Sequence, residues 1–183
     1  RVSSDYSKSI EKISNSAEII RLPFGPKRYI RKELLWPYLD DLADLLVNHL
    51  SQQPRLPDWI HAHYADAGYV GALISRRLSI PLVFTGHSLG REKQRRLLAA
   101  GVDYEQIEHN FSISRRIEAE EFTLSHCDLV VTSTSQEADQ QYSRYGKLSS
   151  NLLQVIPPGV DSKRFHSLSI PSEDKKVDDL MSP

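Results

Sequence analysis

The chain alternates short runs of apolar residues with longer segments in which apolar residues recur at every third or fourth position. The second pattern is clear where Leu42, Leu45 and Leu46 fall on one face of a predicted helix. The same pattern predicts helices at residues 37–50, 68–78, 92–100, 111–125 and 136–145. The short apolar runs predict strands at residues 18–22, 58–63, 81–85, 129–132 and 153–156.

The order of these elements indicates an α/β fold. Strands alternate with helices along the chain, and the strands are nearly continuous runs of Val, Ile, Leu and Phe. Such strands are typical of a parallel sheet that helices cover on both faces through right-handed crossovers.

Polar residues collect where three of the predicted strands end and the next helix begins. These junctions are residues 63–68, 85–90 and 132–137. The carboxyl ends of parallel strands form a crevice that helix N-termini line, and ligands bind there. We therefore expect all three junctions to lie at one edge of the sheet.

Each junction has a structural interpretation beside the functional one. At the third, Thr134 and its serine neighbours are suited to cap the next helix. At the first, Tyr64 and Asp66 are suited either to contact a ligand or to act as a lid and a helix cap. At the second, Gly86 and Gly90 could form tight turns alone, but that leaves the neighbouring imidazole, hydroxyl and ammonium groups unexplained.

The cationic residues after the second junction divide in the same way. Arg91, Arg95 and Arg96 are expected on a solvated helix face. Lys93 is the one within short reach of the loop that contains Ser88.

Composition excludes several classes of protein. The 183 residues contain 23 Lys and Arg and 24 Asp and Glu, so no large net charge favours binding to nucleic acid or to an acidic membrane. No apolar run approaches the roughly 20 residues of a membrane span. The lone cysteine, Cys127, cannot form an internal disulfide and has no zinc-ligand spacing around it. We expect a soluble, cytoplasmic protein without a metal or cofactor.

Both ends indicate a fragment. The chain begins with Arg rather than Met, and residues 1–16 are polar, as in a segment of a truncated domain. Residues 17–166 hold the predicted α/β domain. Residues 167–183 mix Ser, Pro, Glu, Asp and Lys, which is typical of a linker.

Five runs carry a resemblance to a known family. They are LPFGPKRYIRKELLWPYL, HAHYADAGYVGAL, PLVFTGHSLGREK, FSISRRIEAEEFTLSHCDLVVTSTSQE and VIPPGVDSKRF, in this order over residues 19–165. The chain resembles the sucrose-phosphate synthases, which are retaining glycosyltransferases with two Rossmann-like domains (the GT-B fold). The related sucrose synthases share some of these motifs, but their third run is similar to IAHALEKTK instead of TGHSLGREK.

The resemblance implies the acceptor half of a glucosyl-transfer site. The substrates would be fructose 6-phosphate and a nucleotide sugar such as UDP-glucose, and a missing C-terminal domain would hold the nucleotide. Charge-assisted bonds to the phosphate are the strong ones, and the resemblance places such cations at Lys93 and Arg116. Lys32 and Tyr64 resemble the family's additional sugar contacts.

Two residues remain open to interpretation. Arg115 lies beside Arg116 and either joins the phosphate site or pairs with Glu118 on the surface. His87 is implied to contact the glucosyl unit, with a positioning role favoured over proton abstraction because the leaving diphosphate can take the proton. The competing functions are a sucrose synthase that uses free fructose, and a non-catalytic sugar-phosphate-binding domain.

Overall fold

The computed structural model describes residues 7–146, 150–162 and 164. The strands are β1 (Ile10–Lys12), β2 (Glu18–Ile20), β3 (Ile60–His63), β4 (Leu82–Thr85), β5 (Leu129–Thr132) and β6 (Leu153–Val155). The helices are α1 (Leu39–Ser51), α2 (Tyr64–Leu78), α3 (Gly90–Ala99), α4 (Tyr104–Phe111), α5 (Ile113–Leu124) and α6 (Ser135–Gln140). Short 3-10 turns occur at Lys32–Leu34, Trp36–Tyr38, Tyr142–Arg144 and Ser150–Leu152.

Four strands form a parallel sheet in the order β3, β4, β5, β6. In register, His61 lies beside Val83, and Val83 lies beside Leu129. The connections run through helices, so every strand ends at the same edge. The predicted Rossmann-like α/β fold class is confirmed.

The main core lies where α2 and α5 pack beside β4, whose four residues are all buried. The fully buried Phe84 is at its centre. A Cβ added to Gly68 of α2 would lie 2.7 Å from the Phe84 ring, so a glycine is needed for this close approach. A second cluster joins α1 to α2 through Leu39 and Ile74.

The predicted strand at 18–22 is present as β2, but it does not belong to the parallel sheet. It pairs antiparallel with β1, a strand in the segment that appeared only polar in sequence. A short turn joins the two, with the Ile13 N–H donating to the Ala17 carbonyl at 2.9 Å. Each strand has three residues, too few for hydrophobic alternation to reveal the pairing.

Two helical predictions also change. The helix predicted at 111–125 begins at Ile113, because Ser112 has a left-handed backbone (φ 45°) that separates it from α4. The Asp103 side chain caps α4 by accepting from the Gln106 N–H at 2.8 Å, and this aspartate was the signal that could have predicted the helix. The helix predicted at 136–145 ends at Gln140, and a 3-10 turn follows.

Within the described residues, no helix is long and apolar enough to cross a lipid bilayer. The linker predicted at 167–183 lies outside these residues.

Candidate functional site

A cavity of about 330 Å³ opens at the carboxyl edge of the sheet. The first 3-10 turns provide Lys32, Glu33 and Trp36 to its wall, and the start of α2 provides Tyr64, Ala65 and Asp66. Ser88 of the β4–α3 loop, Lys93 of α3, Phe111 of α4 and Arg116 of α5 complete it. The structure thus brings together four of the five predicted acceptor residues.

Three cationic side chains, Lys32, Lys93 and Arg116, share this wall with two carboxylates. The Lys93 ammonium lies 3.5 Å from the centroid of the Phe111 ring, a cation–π contact. Burial lowers the pKa of Lys93, and the positive charges of Arg116 and Lys32 lower it further, while Glu33 opposes them. An anion bound among the three cations would relieve this repulsion.

Hydrogen bonds to Glu120 and Ser88 orient the Arg116 guanidinium. Its Nε donates to Oε1 of Glu120 at 2.9 Å. Its Nη2 donates to the Ser88 carbonyl and lies 3.1 Å from the Ser88 hydroxyl. The side chain is 14% exposed, so its remaining donor surface faces the cavity that it lines.

Glu120, which organises this corner, was missed in the sequence analysis. Its carboxylate is fully buried and accepts from the Gly90 N–H at 2.8 and 3.0 Å, from Arg116, and from the Tyr145 hydroxyl. Burial raises the pKa of Glu120, and the Arg116 charge opposes the shift. The signal in the sequence was a glutamate four residues after Arg116, which is the spacing of a helical ion pair.

The loop between β4 and α3 needs its glycines for close approach, whereas we expected them to supply the sharp turn. An added Cβ would lie 2.6 Å from the Leu89 side chain at Gly86, and 2.9 Å from Glu120 Oε2 at Gly90. The left-handed residue is His87, with φ 58°. The Gly86 N–H donates to the Tyr142 hydroxyl at 2.9 Å, which ties the loop to the turn after α6.

His87 does not line the first cavity. It lines a second one of about 270 Å³ on the side of α6, together with Arg96 and Glu137. Its ring is close to two others: Nε2 is 2.8 Å from His63 Nδ1, and the Tyr64 ring centroid is 4.6 Å from the His87 centroid. The loop therefore contributes Ser88 to the cationic cavity and His87 to the second cavity.

The remaining predicted residues have structural partners. Arg115 is absent from the lining of the first cavity; its Nη1 lies 3.4 Å from Glu118 Oε2, and its guanidinium lies over the Tyr69 ring. At the third junction, Thr134 accepts from the Glu137 N–H at 3.0 Å, so the capping interpretation is confirmed. Cys127 is buried, and burial raises the pKa of its thiol to about 11.

Across the part of the chain that the structure describes, no three His, Cys, Asp or Glu side chains are grouped to hold a metal ion.

Comparison with known proteins gives consistent results. Residues 4–164 match Glycosyltransferase Family 4. The sucrose-phosphate synthase of Spinacia oleracea is 46% identical over 146 residues, which are 72% of this chain and 14% of that protein. The probable sucrose-phosphate synthase 2 of Arabidopsis thaliana is 40% identical over an alignment of 200 positions, which covers 91% of this chain and 19% of that protein.

A solved structure shows the same fold. The sucrose-phosphate synthase of Thermosynechococcus elongatus superposes with a TM-score of 0.68 at 24% identity, over 86% of this chain and 36% of that one. The chain spans a fifth or less of the length of the plant sucrose-phosphate synthases that it matches. The resemblance found in the sequence is confirmed, and the chain belongs to Glycosyltransferase Family 4.

Proposed function

We propose that the chain is the acceptor half of a retaining glucosyltransferase of the sucrose-phosphate synthase type. The enzyme would move glucose from a nucleotide sugar, UDP-glucose in our proposal, to fructose 6-phosphate and give sucrose 6-phosphate. A C-terminal domain beyond this chain would hold the nucleotide, and residues 167–183 would lead to it. We place the enzyme in the cytoplasm, where a buried free thiol such as Cys127 is stable.

The observation that carries this proposal is the cationic cavity with a fixed guanidinium. A phosphate dianion needs compact positive charge and several donors, and Lys93 and Arg116 offer both. Lys32 and Tyr64 line the same cavity and are our additional sugar contacts. Glu33 and Asp66 lie there too, and their carboxylates suit the hydroxyls at the sugar end.

The second cavity, which His87 lines, suits the reacting centre. His87 would contact the glucosyl unit there and align it with the acceptor, while the leaving diphosphate takes the acceptor proton. The chain's task would be to orient both reactants and to exclude water from between them.

A sucrose synthase that uses free fructose is disfavoured, because an uncharged sugar has no phosphate for the donors of Lys32, Lys93 and Arg116 to bind. A non-catalytic sugar-phosphate-binding domain would account for the first cavity but not for the held imidazole across the loop.

Single substitutions in the full-length protein that contains this chain test the proposal. Lys93→Ala and Arg116→Ala should each raise the KM for fructose 6-phosphate roughly tenfold to a hundredfold, because each removes a charge-assisted bond of about 1.5–3 kcal/mol. The KM for the nucleotide sugar should stay nearly constant. Free fructose has no phosphate, so its weak turnover should hardly change.

Arg115→Ala is the matched control, and it also separates the two interpretations of Arg115. Its guanidinium pairs with Glu118 outside the cavity, so the acceptor KM should change little. Equal losses with fructose and fructose 6-phosphate in Lys93→Ala and Arg116→Ala would refute the phosphate assignment.

A further inference from the structure

The imidazole of His63 is the feature that the proposed function leaves unused. We propose that His63 is a positioning residue that holds the His87 ring in one orientation for the glucosyl transfer. The inference rests on the proposed function, because it concerns the same reaction.

A direct contact between the two rings carries the inference. His63 Nδ1 and His87 Nε2 are 2.8 Å apart, within hydrogen-bond distance. The ring centroids are 5.1 Å apart, and the planes are inclined by 25°. Each ring comes from a different strand end, since His63 is the last residue of β3 and His87 follows β4 by two positions.

The backbone around the pair is unusual in a way that supports a positioning role. His87 has φ 58° and Tyr64 has φ 68°, both in the left-handed region that non-glycine residues rarely occupy. Such conformations persist where the surroundings enforce them, and they concentrate at functional sites. Here these conformations bring the Tyr64 and His87 ring centroids to 4.6 Å from each other, while His63 Nδ1 lies at hydrogen-bond distance from His87 Nε2.

The hydrogen bond determines what His87 presents to a ligand. Either ring can donate this bond, so the two tautomers are coupled: where one nitrogen carries the N–H, the other offers its lone pair. With Nε2 bound to His63, Nδ1 is the ring nitrogen left to meet a sugar oxygen. Without His63, several orientations of the His87 ring become accessible, and the fraction of molecules with the ring aligned for transfer falls.

Other titratable groups surround the pair. The His61 ring lies beside the His63 ring, with centroids 4.3 Å apart and planes tilted by 33°, but its own hydrogen bond joins it to Thr85 at 2.9 Å. Arg96 of α3 and Glu137 of α6 line the second cavity with His87. Burial lowers the pKa of His61, and the neighbouring His63 and His87 lower it further.

Substitution by phenylalanine separates the hydrogen bond from ring stacking. His63→Phe keeps an aromatic ring but removes both nitrogens. His61→Phe is the matched control, made two residues earlier on the same strand, where the bond goes to Thr85. His63→Asn is the rescue variant, because the asparagine amide reaches the position of Nδ1.

The first measurement needs no activity. Long-range proton–nitrogen NMR correlations of the 183-residue chain, labelled on nitrogen, report the tautomer of each histidine. We expect the His87 ring-nitrogen shifts of the His61→Phe and His63→Asn chains to match those of the wild type, and the shifts of His63→Phe to differ. A His87 spectrum that His63→Phe leaves unchanged would overturn the inference.

The second measurement is steady-state kinetics of the full-length protein with UDP-glucose and fructose 6-phosphate. His63→Phe should lower kcat roughly tenfold, the effect of one hydrogen bond, with the acceptor KM within about twofold of the wild type. His63→Asn should recover most of the rate, and His61→Phe should keep it.

Failure of the His63 inference can be distinguished from failure of the proposed function. An active wild type with an equally active His63→Phe would overturn the positioning role alone. A wild type that makes no sucrose 6-phosphate would refute the proposed function, and the positioning role of His63 with it.

Discussion

At the scale of single residues, the site depends on side chains that fix other side chains. Glu120 holds Arg116 through Nε and ties down the Gly90 N–H at the start of α3. Burial disfavours the ionised form of the Glu120 carboxylate, so the groups that donate to it must stabilise its negative charge. The Arg116 guanidinium therefore has its orientation set before any ligand arrives.

Glu120→Gln tests this arrangement. The amide keeps the volume but loses the charge that holds Arg116, so the KM for fructose 6-phosphate should rise roughly tenfold in steady-state assays of the full-length protein. Glu121→Gln is the control, because Glu121 pairs with Arg91 nearer the surface. An acceptor KM raised equally by both changes would count against the orienting role.

The residues of this site were not equally predictable. Lys32, Tyr64, Lys93 and Arg116 could be predicted because they fall within the runs that carry the family resemblance, and Tyr64 also directly follows a strand. The contacts of Glu120 and Tyr145 were harder to predict, since they join residues 25 and 30 positions apart in sequence. The spacing from Arg116 to Glu120 indicates their ion pair, but no local pattern indicates the contacts with Gly90 and Tyr145.

At the scale of elements, α3 is fastened to the turn after α6 by a buried carboxylate. Glu92 binds Arg95 and Arg96 of its own helix and lies 3.2 Å from Arg144. Hydrogen bonds from Arg95 and Arg96 lower the pKa of Glu92 to about 2, from an ordinary 4.5. Because the folded pKa is depressed, the stabilisation is present above about pH 4.5 and is lost as the pH falls toward 2.

Glu92→Gln should therefore lower the free energy of unfolding by about 1 kcal/mol near neutral pH, a modest value because the arginines are half exposed. Thermal unfolding followed by circular dichroism should show the difference shrink as the pH falls from 4.5 toward 2. Glu118→Gln, at an exposed pair, should change stability less. A constant difference over this pH interval would contradict the ion-pair account.

The elements themselves were predictable where the hydrophobic pattern was long. The helix predicted at 37–50 is α1 at Leu39–Ser51, and the four strands of the parallel sheet are all where apolar runs predicted them. The antiparallel pairing of β1 with β2 was not predicted, because both strands are short and largely exposed. The break between α4 and α5 at Ser112 was not predicted, because the helical spacing of apolar residues continues across it. The left-handed backbone at Ser112 depends on tertiary packing.

At the scale of the whole molecule, the loop between β4 and α3 contributes to two neighbouring cavities that differ in chemistry. The cavity on the α4 and α5 side has three cations, and the cavity on the α6 side has the His87 imidazole. A transferase needs its acceptor and its donor to meet in one water-poor cleft. In our account this chain supplies the acceptor side, and the family relationship provides the context for the other half.

The central claim is that the cationic cavity binds the phosphate of the acceptor. Phosphorus NMR of fructose 6-phosphate, titrated with the 183-residue chain, tests it directly because every residue of the cavity belongs to this chain. The account predicts a phosphate signal that shifts and broadens on adding the wild-type chain, that recovers with added salt, and that changes far less at the same concentration of the Arg116→Ala chain. A signal that the wild-type chain leaves unchanged, or that Arg116→Ala perturbs equally, would contradict it.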